Sequence, residues 1–516
     1  MNTRRREFLK LTAASLACAP FAIGAESGPV IAETATGKVK GIDLNGIKHF
    51  RGIPYGGSTA GKNRFMPPTK AAKWGGVRDG SEWGHIAPQH LVTNPGDYEK
   101  TIQWHMQRGG VGEDCLNLNI WTPALKDGNK RTVMVSYHGG GFTTGSGNLP
   151  VYDGEPLARF GDVVVVTVNH RLGALGYTDL ASLGGPEFAY SGVAGMMDCV
   201  ASLEWIRDNI ESFGGNPKSV MIFGQSGGGA KTSTLLSMPS AKGLFIRAAV
   251  QSGSTIRLTH HDAATRNTEE FLGKLGAGKD RLADLQNMPF EKLIAAQTVA
   301  GPSVDGKIIP RDPFDPTAPE VSADIPMIIG TELDDAGLRM NDWDLTEAGL
   351  KTWTEENVKG HADHVLSVYR KAYPAIRPFL IKTKIATDRA GRRNATLMAQ
   401  RKAEQGHAPA YLYRWDWPSP AYGGKFGAIH GIDVSLAFHN AAPPITMDTP
   451  EARVMAERLG SVWVGFAKTG NPNNKQIPHW PAYNAAQRAT MIFDNNTRVE
   501  NDPNHEIRLL WEELGA

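Results

Sequence analysis

Residues 219–230 read Ser-Val-Met-Ile-Phe-Gly-Gln-Ser-Gly-Gly-Gly-Ala. The apolar run at 219–223 predicts a buried strand, and the small residues after it predict a turn that leads into a helix. Between them the sequence 224–228 is Gly-Gln-Ser-Gly-Gly, which fits the Gly-x-Ser-x-Gly pattern of a nucleophile elbow. The glycines allow a strained turn that lifts a serine hydroxyl above the sheet. We therefore expect Ser226 to be a nucleophile; the competing interpretation is an ordinary glycine-rich turn.

A serine hydroxyl becomes reactive when a base takes its proton and an acid orients that base. In chains with this elbow the acid and then the histidine follow the serine. His430 is the best candidate for the base because it lies in the glycine-flanked loop 427–431. Asp334 and Asp335 follow an apolar strand predicted at 326–329, where carboxylates point into an active-site crevice. Either could be the acid, while the other caps a helix.

A second glycine-rich loop, His-Gly-Gly-Gly-Phe at 138–142, follows a strand predicted at 132–137. Main-chain N–H groups that no side chain obstructs can stabilise the oxyanion of ester hydrolysis, and each such donor contributes roughly 3–4 kcal/mol. A glycine-rich loop can also hold a phosphate. This loop has neither the lysine of a P-loop nor the Gly-x-Gly-x-x-Gly pattern of a dinucleotide site, so we favour the oxyanion interpretation.

Strand and helix patterns alternate through this part of the chain. The β-branched run at 163–166 is typical of a strand buried on both faces. Apolar residues at helical spacing follow at 200–210, and a further strand is predicted at 246–250. Such alternation predicts an α/β fold with a large, mostly parallel sheet and helices on both faces. We interpret residues 255–400, which are largely helical and charged, as an insertion or lid over the carboxyl edge of that sheet.

Composition excludes several classes of protein. The 516 residues are 41% hydrophobic and 21% charged, which excludes collagen-like, disordered and coiled-coil chains. The sequence has no internal repeat and no low-complexity linker, which favours one large domain over residues 26–516. A net charge of +2 with scattered basic residues argues against nucleic-acid binding. Cys18, Cys115 and Cys199 lack metal-site spacing, so we expect neither a disulfide framework nor a structural zinc.

Residues 1–25 have the pattern of a cleaved export signal. Arg4, Arg5 and Arg6 precede a short apolar run that is too short to span a membrane. Arg5-Arg6 followed by Glu-Phe-Leu-Lys is typical of the twin-arginine type. The alternatives are a basic tail on a cytosolic protein and cleavage before Cys18 with lipid attachment. Since no other apolar stretch approaches twenty residues, we expect an exported protein without stable membrane insertion.

With these motifs in view, the chain resembles the type B carboxylesterases, a branch of the α/β-hydrolase fold that includes bacterial para-nitrobenzyl esterases, cholinesterases and the non-catalytic neuroligins. The resemblance runs from about residue 37 to the carboxyl end. Beside the two glycine-rich motifs, it rests on these segments: Phe-Arg-Gly-Ile-Pro-Tyr at 50–55, Arg-Phe-Met-Pro-Pro at 64–68, Glu-Asp-Cys-Leu-Asn-Leu-Asn-Ile-Trp at 113–121, Asn-His-Arg-Leu-Gly at 169–173, Phe-Gly-Gly-Asn-Pro at 213–217, Gln-Ser-Gly at 251–253 and Gly-Asn-Pro at 470–472.

The resemblance implies a serine esterase that needs neither a metal nor an organic cofactor and acts on a small-molecule ester. It also implies a role for each matching residue. These are Ser226 as nucleophile, His430 as base, Asp335 as acid, Gly140, Gly141 and Gly227 as oxyanion donors, Ser252 as support for the acid, and Gln225 as the neighbour of the nucleophile.

The chain departs from the family pattern at four places. The family usually has glutamate and alanine where this chain has Gln225 and Gly227. Without that glutamate, a quaternary-ammonium ester is a poor candidate substrate. The acid is usually glutamate, so the shorter Asp335 competes with Asp334 for the role. The resemblance pairs Cys115 with a cysteine near position 87, which is Ala87 here, and this disulfide cannot form.

The substrate is less defined than the chemistry. Trp104 could form an aromatic wall or simply pack, and Arg389, Arg392 and Arg393 could bind a carboxylated substrate or belong to a solvated helix face. The expected function is a secreted serine carboxylesterase. The alternatives are a hydrolase of lactones, amides or polyesters with the same triad, and a non-catalytic binding protein on the same fold.

Overall fold

The computed structural model describes residues 27–278, 282–299 and 301–515. The export signal predicted for residues 1–25, with Cys18, lies outside these described residues. Across the three described ranges, the structure contains no helix with the length and apolar character that crossing a bilayer requires.

Thirteen strands of the described chain form a single sheet. In chain order they are β1 Ser27–Thr34, β2 Gly37–Leu44, β3 Ile47–Pro54, β4 Val77–Asp79, β5 Asn117–Thr122, β6 Arg131–Tyr137, β7 Val164–Val168, β8 Gly215–Gln225, β9 Arg247–Gln251, β10 Met327–Glu332, β11 Ala410–Trp415, β12 Ala489–Phe493 and β13 Arg498–Asn501.

The sheet order is β1-β2-β3-β5-β7-β6-β8-β9-β10-β11-β12-β13, with β4 paired to β2. The strands from β7 to β12 in this order run parallel to their neighbours. Antiparallel pairs flank them, from β1 to β7 on one side and at β13 on the other. The expected mostly parallel sheet is confirmed at its centre, whereas the antiparallel amino-terminal arm was not foreseen.

Helices connect the strands and cover the sheet. They are α1 Asp97–Thr101, α2 Glu155–Gly161, α3 Gly173–Tyr177, α4 Ala181–Gly184, α5 Ala194–Asn209, α6 Gly227–Leu235, α7 His261–Leu275, α8 Leu282–Asn287, α9 Phe290–Ala296, α10 Glu347–Asn357, α11 Ala362–Ala372, α12 Pro378–Thr387, α13 Arg393–Glu404, α14 Ile432–Ala437, α15 Pro450–Thr469 and α16 His505–Glu513. Helices α7 to α12, strand β10 and the first part of α13 fall within residues 255–400. The division of the chain into one domain with a lid stays a prediction.

The core lies on both faces of the sheet, as the β-branched run at 163–166 predicts. Side chains alternate along a strand, so Val164 and Val166 pack into one hydrophobic cluster and Val165 into another. The first cluster contains apolar residues of α5, and the second contains those of α15. With both faces covered, the carboxyl edge of the parallel strands is where loops can assemble a site.

Candidate active site

Ser226 lies at a sharp turn between β8 and α6. Its backbone has φ 58° and ψ −123°, a strained conformation for a residue other than glycine. The turn is tight enough to require glycine at both flanking positions. A Cβ at Gly224 would lie 2.5 Å from the carbonyl oxygen of Tyr137, and one at Gly228 would lie 1.9 Å from the same oxygen. The predicted elbow is therefore present, with the serine held above the end of β8.

The loop 138–141 lies directly beside this elbow. Gly140 and Gly141 have φ values of 87° and 62°, which favour glycine. A Cβ at Gly227 would lie 2.1 Å from the carbonyl oxygen and 2.4 Å from the main-chain nitrogen of Gly141. The two main chains thus approach without intervening side chains. This arrangement brings together the three glycines that sequence reasoning selected as oxyanion donors.

The loops that follow β10 and β11 bring an acid to the histidine. The main-chain nitrogen of Asp334 donates to the carbonyl oxygen of Ala428 at 3.0 Å, and an isolated parallel bridge joins the two loops at Asp334 and Ile429. As a result, Asp335 accepts a hydrogen bond from Nδ1 of His430. Burial raises the pKa of Asp335, but the charge and hydrogen bond of His430, together with hydrogen bonds from Glu332 and Ser252, lower it below its ordinary value.

Asp334 has a different task from Asp335. Its carboxylate accepts hydrogen bonds from Nζ of Lys384 at 2.6 Å, the hydroxyl of Thr383 at 2.8 Å and the main-chain nitrogen of Ala428 at 2.9 Å. Asp334 and Lys384 are almost completely buried. The expectation that one of the two aspartates caps a helix is wrong, because the Asp334 side chain makes no cap hydrogen bond to the 3-10 turn Asp335–Arg339. It holds an ion pair instead.

Behind the histidine lies a buried carboxyl that the sequence analysis missed, that of Glu332 at the end of β10. One of its oxygens accepts hydrogen bonds from the main-chain nitrogen of Gly431 at 2.8 Å and from Nε2 of Gln225 at 3.4 Å. The other accepts the hydroxyl of Ser252. Ser252, expected to support the acid, therefore contacts Glu332, and it also helps to lower the pKa of Asp335.

A third buried acid, Asp433 on α14, completes this group. One of its oxygens accepts the hydroxyl of Tyr413 at 2.7 Å, and the other has no hydrogen-bond partner among the described residues. Burial raises the pKa of Asp433. It also raises the pKa of Glu332 well above its ordinary value, and the neighbouring Asp433 and Asp335 add to that shift. The geometry favours a proton on the Glu332 side and the negative charge on Asp335.

In the described part of the chain, Glu332, Asp335 and His430 are the group with the spacing of a metal site, since one potential ligand atom from each lies within 4.8 Å of the others. The hydrogen bond between His430 and Asp335 occupies the imidazole Nδ1. The spacing is therefore already explained by an imidazole held by an acid.

Ser226, His430, Gly140 and Gly141 line one cavity of about 390 Å³. Its walls are mostly apolar and include Trp104. This tryptophan, for which simple packing was the favoured interpretation, packs against the core and lines the cavity as well. The cavity also contains one side chain of each charge. The charged side chains are those of Glu99 and Arg339. The cavity is also lined by Tyr98, Ile102, Val151, Leu338 and Val434.

Other residues selected from the sequence lie away from this cavity. Arg389 stacks on the ring of Trp511, Arg392 pairs with Asp388, and Arg393 lines a separate cavity beside α16. None of the three arginines is among the residues that line the cavity at Ser226. In the described chain Cys115 and Cys199 are both buried and free.

Sequence reasoning missed a second residue, Lys231 on α6. Its Nζ donates to the carbonyl oxygens of His138 and Gly141, on the loop that carries the predicted oxyanion donors. A lysine among the glycine, alanine, serine and threonine residues of a short buried helix is a signal that could have found it. For Glu332 the signal was its place at the end of the same strand that leads to Asp335.

Comparison with known proteins agrees with this geometry. The model of the carboxylesterase family matches residues 28–511. The para-nitrobenzyl esterase of Bacillus subtilis (strain 168) is 34% identical over 500 residues, covering 93% of this chain and 97% of that protein. The phenmedipham hydrolase of Pseudarthrobacter oxydans is 33% identical over 509 residues, covering 92% and 98% respectively.

Solved structures give the same result for the fold. A carboxylesterase of Geobacillus stearothermophilus superposes with a TM-score of 0.79 at 34% identity, over 93% of this chain and 99% of that one. An esterase of Clostridium hathewayi that can hydrolyse aliphatic aromatic polyesters gives a TM-score of 0.82 at 31% identity, over 95% and 99%. The α/β-hydrolase fold expected from the sequence is confirmed, and the chain belongs to the carboxylesterase family of carboxylic ester hydrolases.

Proposed function

We propose that this carboxylic ester hydrolase works through an acyl-enzyme on Ser226. The observation that carries the proposal is the convergence of three elements on one cavity. The strained elbow presents Ser226, the loop 138–141 presents its main-chain N–H groups, and the hydrogen bond to Asp335 orients His430. Nucleophile, oxyanion donors and oriented base are the parts that acyl transfer requires.

In the first half of the reaction, the hydroxyl oxygen of Ser226 attacks the ester carbonyl carbon while Nε2 of His430 takes the hydroxyl proton. Nε2 is free to do so because Nδ1 holds the proton that faces Asp335. The carbonyl oxygen becomes an oxyanion, which the N–H groups of Gly140, Gly141 and Gly227 stabilise. His430 then gives its proton to the departing alcohol, and the acyl group stays on the serine.

In the second half, water repeats these steps on the acyl-enzyme. His430 takes a proton from the water, whose oxygen attacks the acyl carbon. Collapse of the second tetrahedral intermediate returns a proton to Ser226 and releases the carboxylic acid. The ionised Asp335 stabilises the imidazolium that forms in each half, which is why its lowered pKa matters.

The substrate class follows from the walls of the cavity. Trp104, Ile102 and Leu338 offer apolar contacts, while Glu99 and Arg339 offer one charge of each sign. This fits an uncharged ester with an aromatic or aliphatic group. The same acyl-enzyme chemistry would also accept lactones, amides or polyesters, and related proteins act on phenmedipham and on polyesters. A panel of matched esters, amides, lactones and soluble polyester fragments ranks these classes by kcat/KM.

Labelling and substitution at Ser226 test the mechanism. A serine-directed fluorophosphonate is expected to attach to the protein once per chain, on the peptide that contains Ser226, and to abolish turnover. Mass spectrometry detects the added phosphonyl group. Ser226→Ala is expected to lose both labelling and turnover. Wild-type turnover in Ser226→Ala would refute the acyl-enzyme, and absence of turnover in the wild-type chain on the whole panel would favour a non-catalytic binding protein.

We also propose that the protein is exported, to the periplasm or beyond, through a twin-arginine signal in residues 1–25. The support is the sequence of that segment alone. Expression in a bacterial host followed by cell fractionation and intact-mass measurement tests it. Export with loss of about 25 residues is expected, and Arg5→Lys with Arg6→Lys should retain the chain in the cytoplasm. A full-length cytoplasmic chain, or a lipid-bearing mass beginning at Cys18, would contradict this form of export.

A further inference from the structure

The buried lysine behind the oxyanion loop has no task in the mechanism described so far. Lys231 lies on α6, five residues after Ser226 in sequence, and its side chain is fully buried. Its Nζ donates to the carbonyl oxygen of His138 at 2.9 Å and to that of Gly141 at 2.8 Å. The ring of Phe142 lies 5.5 Å from the ammonium group. Two of these contacts are with the loop 138–141, which carries the proposed oxyanion donors, and the third is with the residue directly after it.

No carboxylate in the described part of the chain forms an ion pair with Lys231. Asp198, which adjoins Cys199 on α5, is paired with Arg171 at 2.6 Å. A buried charge without a partner is costly, and proteins rarely retain one without a use for it. Two carbonyl dipoles provide the hydrogen bonds that the ammonium needs, but they do not neutralise its charge.

The titratable groups that face Lys231 leave this charge unopposed. The rings of His138 and His170 stack at 5.0 Å. Burial lowers the pKa of both imidazoles well below the ordinary value, and the charge of Lys231 lowers them further, so both rings are neutral. From α5, burial raises the pKa of the Cys199 thiol, which is neutral too. Burial likewise lowers the pKa of Lys231 itself to about 7.

Gly141 connects this charge to the reaction. Its carbonyl oxygen accepts the hydrogen bond from Lys231, and both this oxygen and the nitrogen of Gly141 lie beside Gly227. Gly141 itself lines the edge of the cavity at Ser226. A negative charge develops at that edge only when the substrate carbonyl is attacked. A cation fixed behind the loop in a poorly screened interior therefore interacts more strongly with the transition state than with the ester.

We propose that Lys231 is a positioning residue of the oxyanion hole, which fixes the loop 138–141 through two hydrogen bonds and places a positive charge behind the developing oxyanion. The proposal rests on the acyl-enzyme function proposed above. It has a kinetic consequence, because the charged form of Lys231 is the active one. Beyond its rising limb, the pH profile of kcat/KM therefore has a second limb that falls as Lys231 loses its proton. The falling limb is expected far below the ordinary lysine range near 10.4.

The test compares Lys231→Met, which keeps the length and removes the charge, with the wild-type enzyme. We expect kcat/KM at pH 7 to fall roughly tenfold to a hundredfold, mostly in kcat, and the falling limb to disappear. Affinity for a trifluoromethyl ketone, which forms an oxyanion adduct with the serine, should fall in parallel. Affinity for the matching methyl ketone, a poor electrophile, should change less than threefold. A falling limb that persists in Lys231→Met overturns the proposal.

Lys402 on α13 supplies a matched control. It is also a buried lysine that donates to main-chain carbonyl oxygens, those of Ser322 at 3.0 Å and Ala323 at 2.6 Å, and burial lowers its pKa to about 8. Lys402→Met should lose stability but keep the falling limb and the preference for the trifluoromethyl ketone. If it loses them as Lys231→Met does, a general loss of packing explains both variants and the proposal fails.

Lys231→Arg covers the case in which the methionine variant does not fold. It keeps a positive charge that does not titrate in this range. We expect labelling of Ser226 to persist and the falling limb to move above pH 9, whereas a limb at its wild-type midpoint would overturn the proposal. Loss of turnover in the wild-type chain or full turnover in Ser226→Ala would instead refute the acyl-enzyme, so the two failures are distinguishable.

Discussion

A carboxyl oxygen of Glu332 accepts a hydrogen bond of 2.8 Å from the main-chain nitrogen of Gly431, the residue directly after His430. Glu332 is fully buried, and its other oxygen accepts the hydroxyl of Ser252. It therefore connects the loop that carries the proposed base to the strand end that carries the proposed acid. Burial raises the pKa of this carboxyl well above its ordinary value and so favours its neutral form.

The first prediction concerns the charge of Glu332. Glu332→Gln replaces one neutral group by another, so the midpoint of the rising limb of kcat/KM should move by less than about 0.3 pH unit. If Glu332 were ionised, the substitution would remove a negative charge within 4.8 Å of Asp335 and His430 and lower that midpoint by about one unit or more. A pH profile from 5 to 9 with a soluble ester measures the difference.

Glu332→Leu is the companion variant for the hydrogen bonds. It leaves the buried N–H of Gly431 without an acceptor, which costs about 1–3 kcal/mol. We expect kcat/KM to fall roughly tenfold or more, and Glu332→Gln to recover most of that loss because an amide oxygen can accept the same hydrogen bond. Equal activity of the two variants would show that the contact with Gly431 does not position the base.

The second prediction separates the two adjacent aspartates. Asp335→Asn should lower kcat by roughly a thousandfold or more, because an amide neither stabilises the imidazolium nor fixes its tautomer. Asp334→Asn should keep kcat within about threefold. It should instead lower the free energy of unfolding by roughly 3 kcal/mol, because it leaves the buried ammonium of Lys384 without its counter-ion.

Urea unfolding and steady-state kinetics on both variants separate the two roles. Activity is lost in one and stability in the other. A large loss of kcat in Asp334→Asn, in a protein that is still folded, would contradict the separate roles of Asp334 in the ion pair and of Asp335 beside His430. It would reopen the choice that the sequence alone left between Asp334 and Asp335.

The parts of the fold that local patterns specify were predictable from the sequence. The valine run that forms β7 and the elbow that follows β8 are both specified by residues adjacent in sequence. Both lie where the sequence analysis placed them. The choice of Asp335 over Asp334 required the family resemblance, and the structure adds a reason in the Lys384 pair. Each of these features is specified either by residues close together in the sequence or by a specific family motif.

The rest depends on contacts between residues distant in sequence. Glu332 and Gly431 are hydrogen-bonded although 99 positions separate them in the sequence, and Lys231 and His138 are 93 positions apart. No local sequence pattern predicts either contact. The antiparallel arm from β1 to β5 escaped prediction for another reason. It sits at the edge of the sheet, where half-buried strands such as β2 have a mixed polar and apolar sequence that is hard to tell from a loop.

The third prediction concerns the two described cysteines. Cys115 and Cys199 are fully buried, and burial raises the pKa of both thiols. A thiol reagent should therefore react with neither in the folded protein and with both in 6 M guanidinium chloride. Dithiothreitol should change neither the melting temperature nor kcat/KM, since no disulfide joins these residues. Fast reaction of either thiol in the native protein would contradict the packing around β5 or α5.

The fourth prediction addresses the residue after the nucleophile, where the family usually has alanine. In this chain a Cβ at Gly227 would lie 2.1 Å from the carbonyl oxygen of Gly141, and a main-chain neighbour cannot swing aside as a flexible side chain can. Gly227→Ala must therefore push the loop 138–141 away from the elbow and misplace its donors. Because one oxyanion donor is worth roughly a hundredfold or more in kcat, we expect a loss of at least about tenfold with KM little changed.

A glycine elsewhere in the chain serves as the control for this substitution. Gly273 lies inside α7 with no neighbouring atom within 4 Å of the position of a Cβ. Gly273→Ala should keep kcat and gain up to about 1 kcal/mol of helix stability. Wild-type kcat in Gly227→Ala would mean that the loop has room to move without loss. In that case Gly227 would be a tolerated departure from the family, and the close approach of Gly141 would not be what sets the geometry of the oxyanion donors.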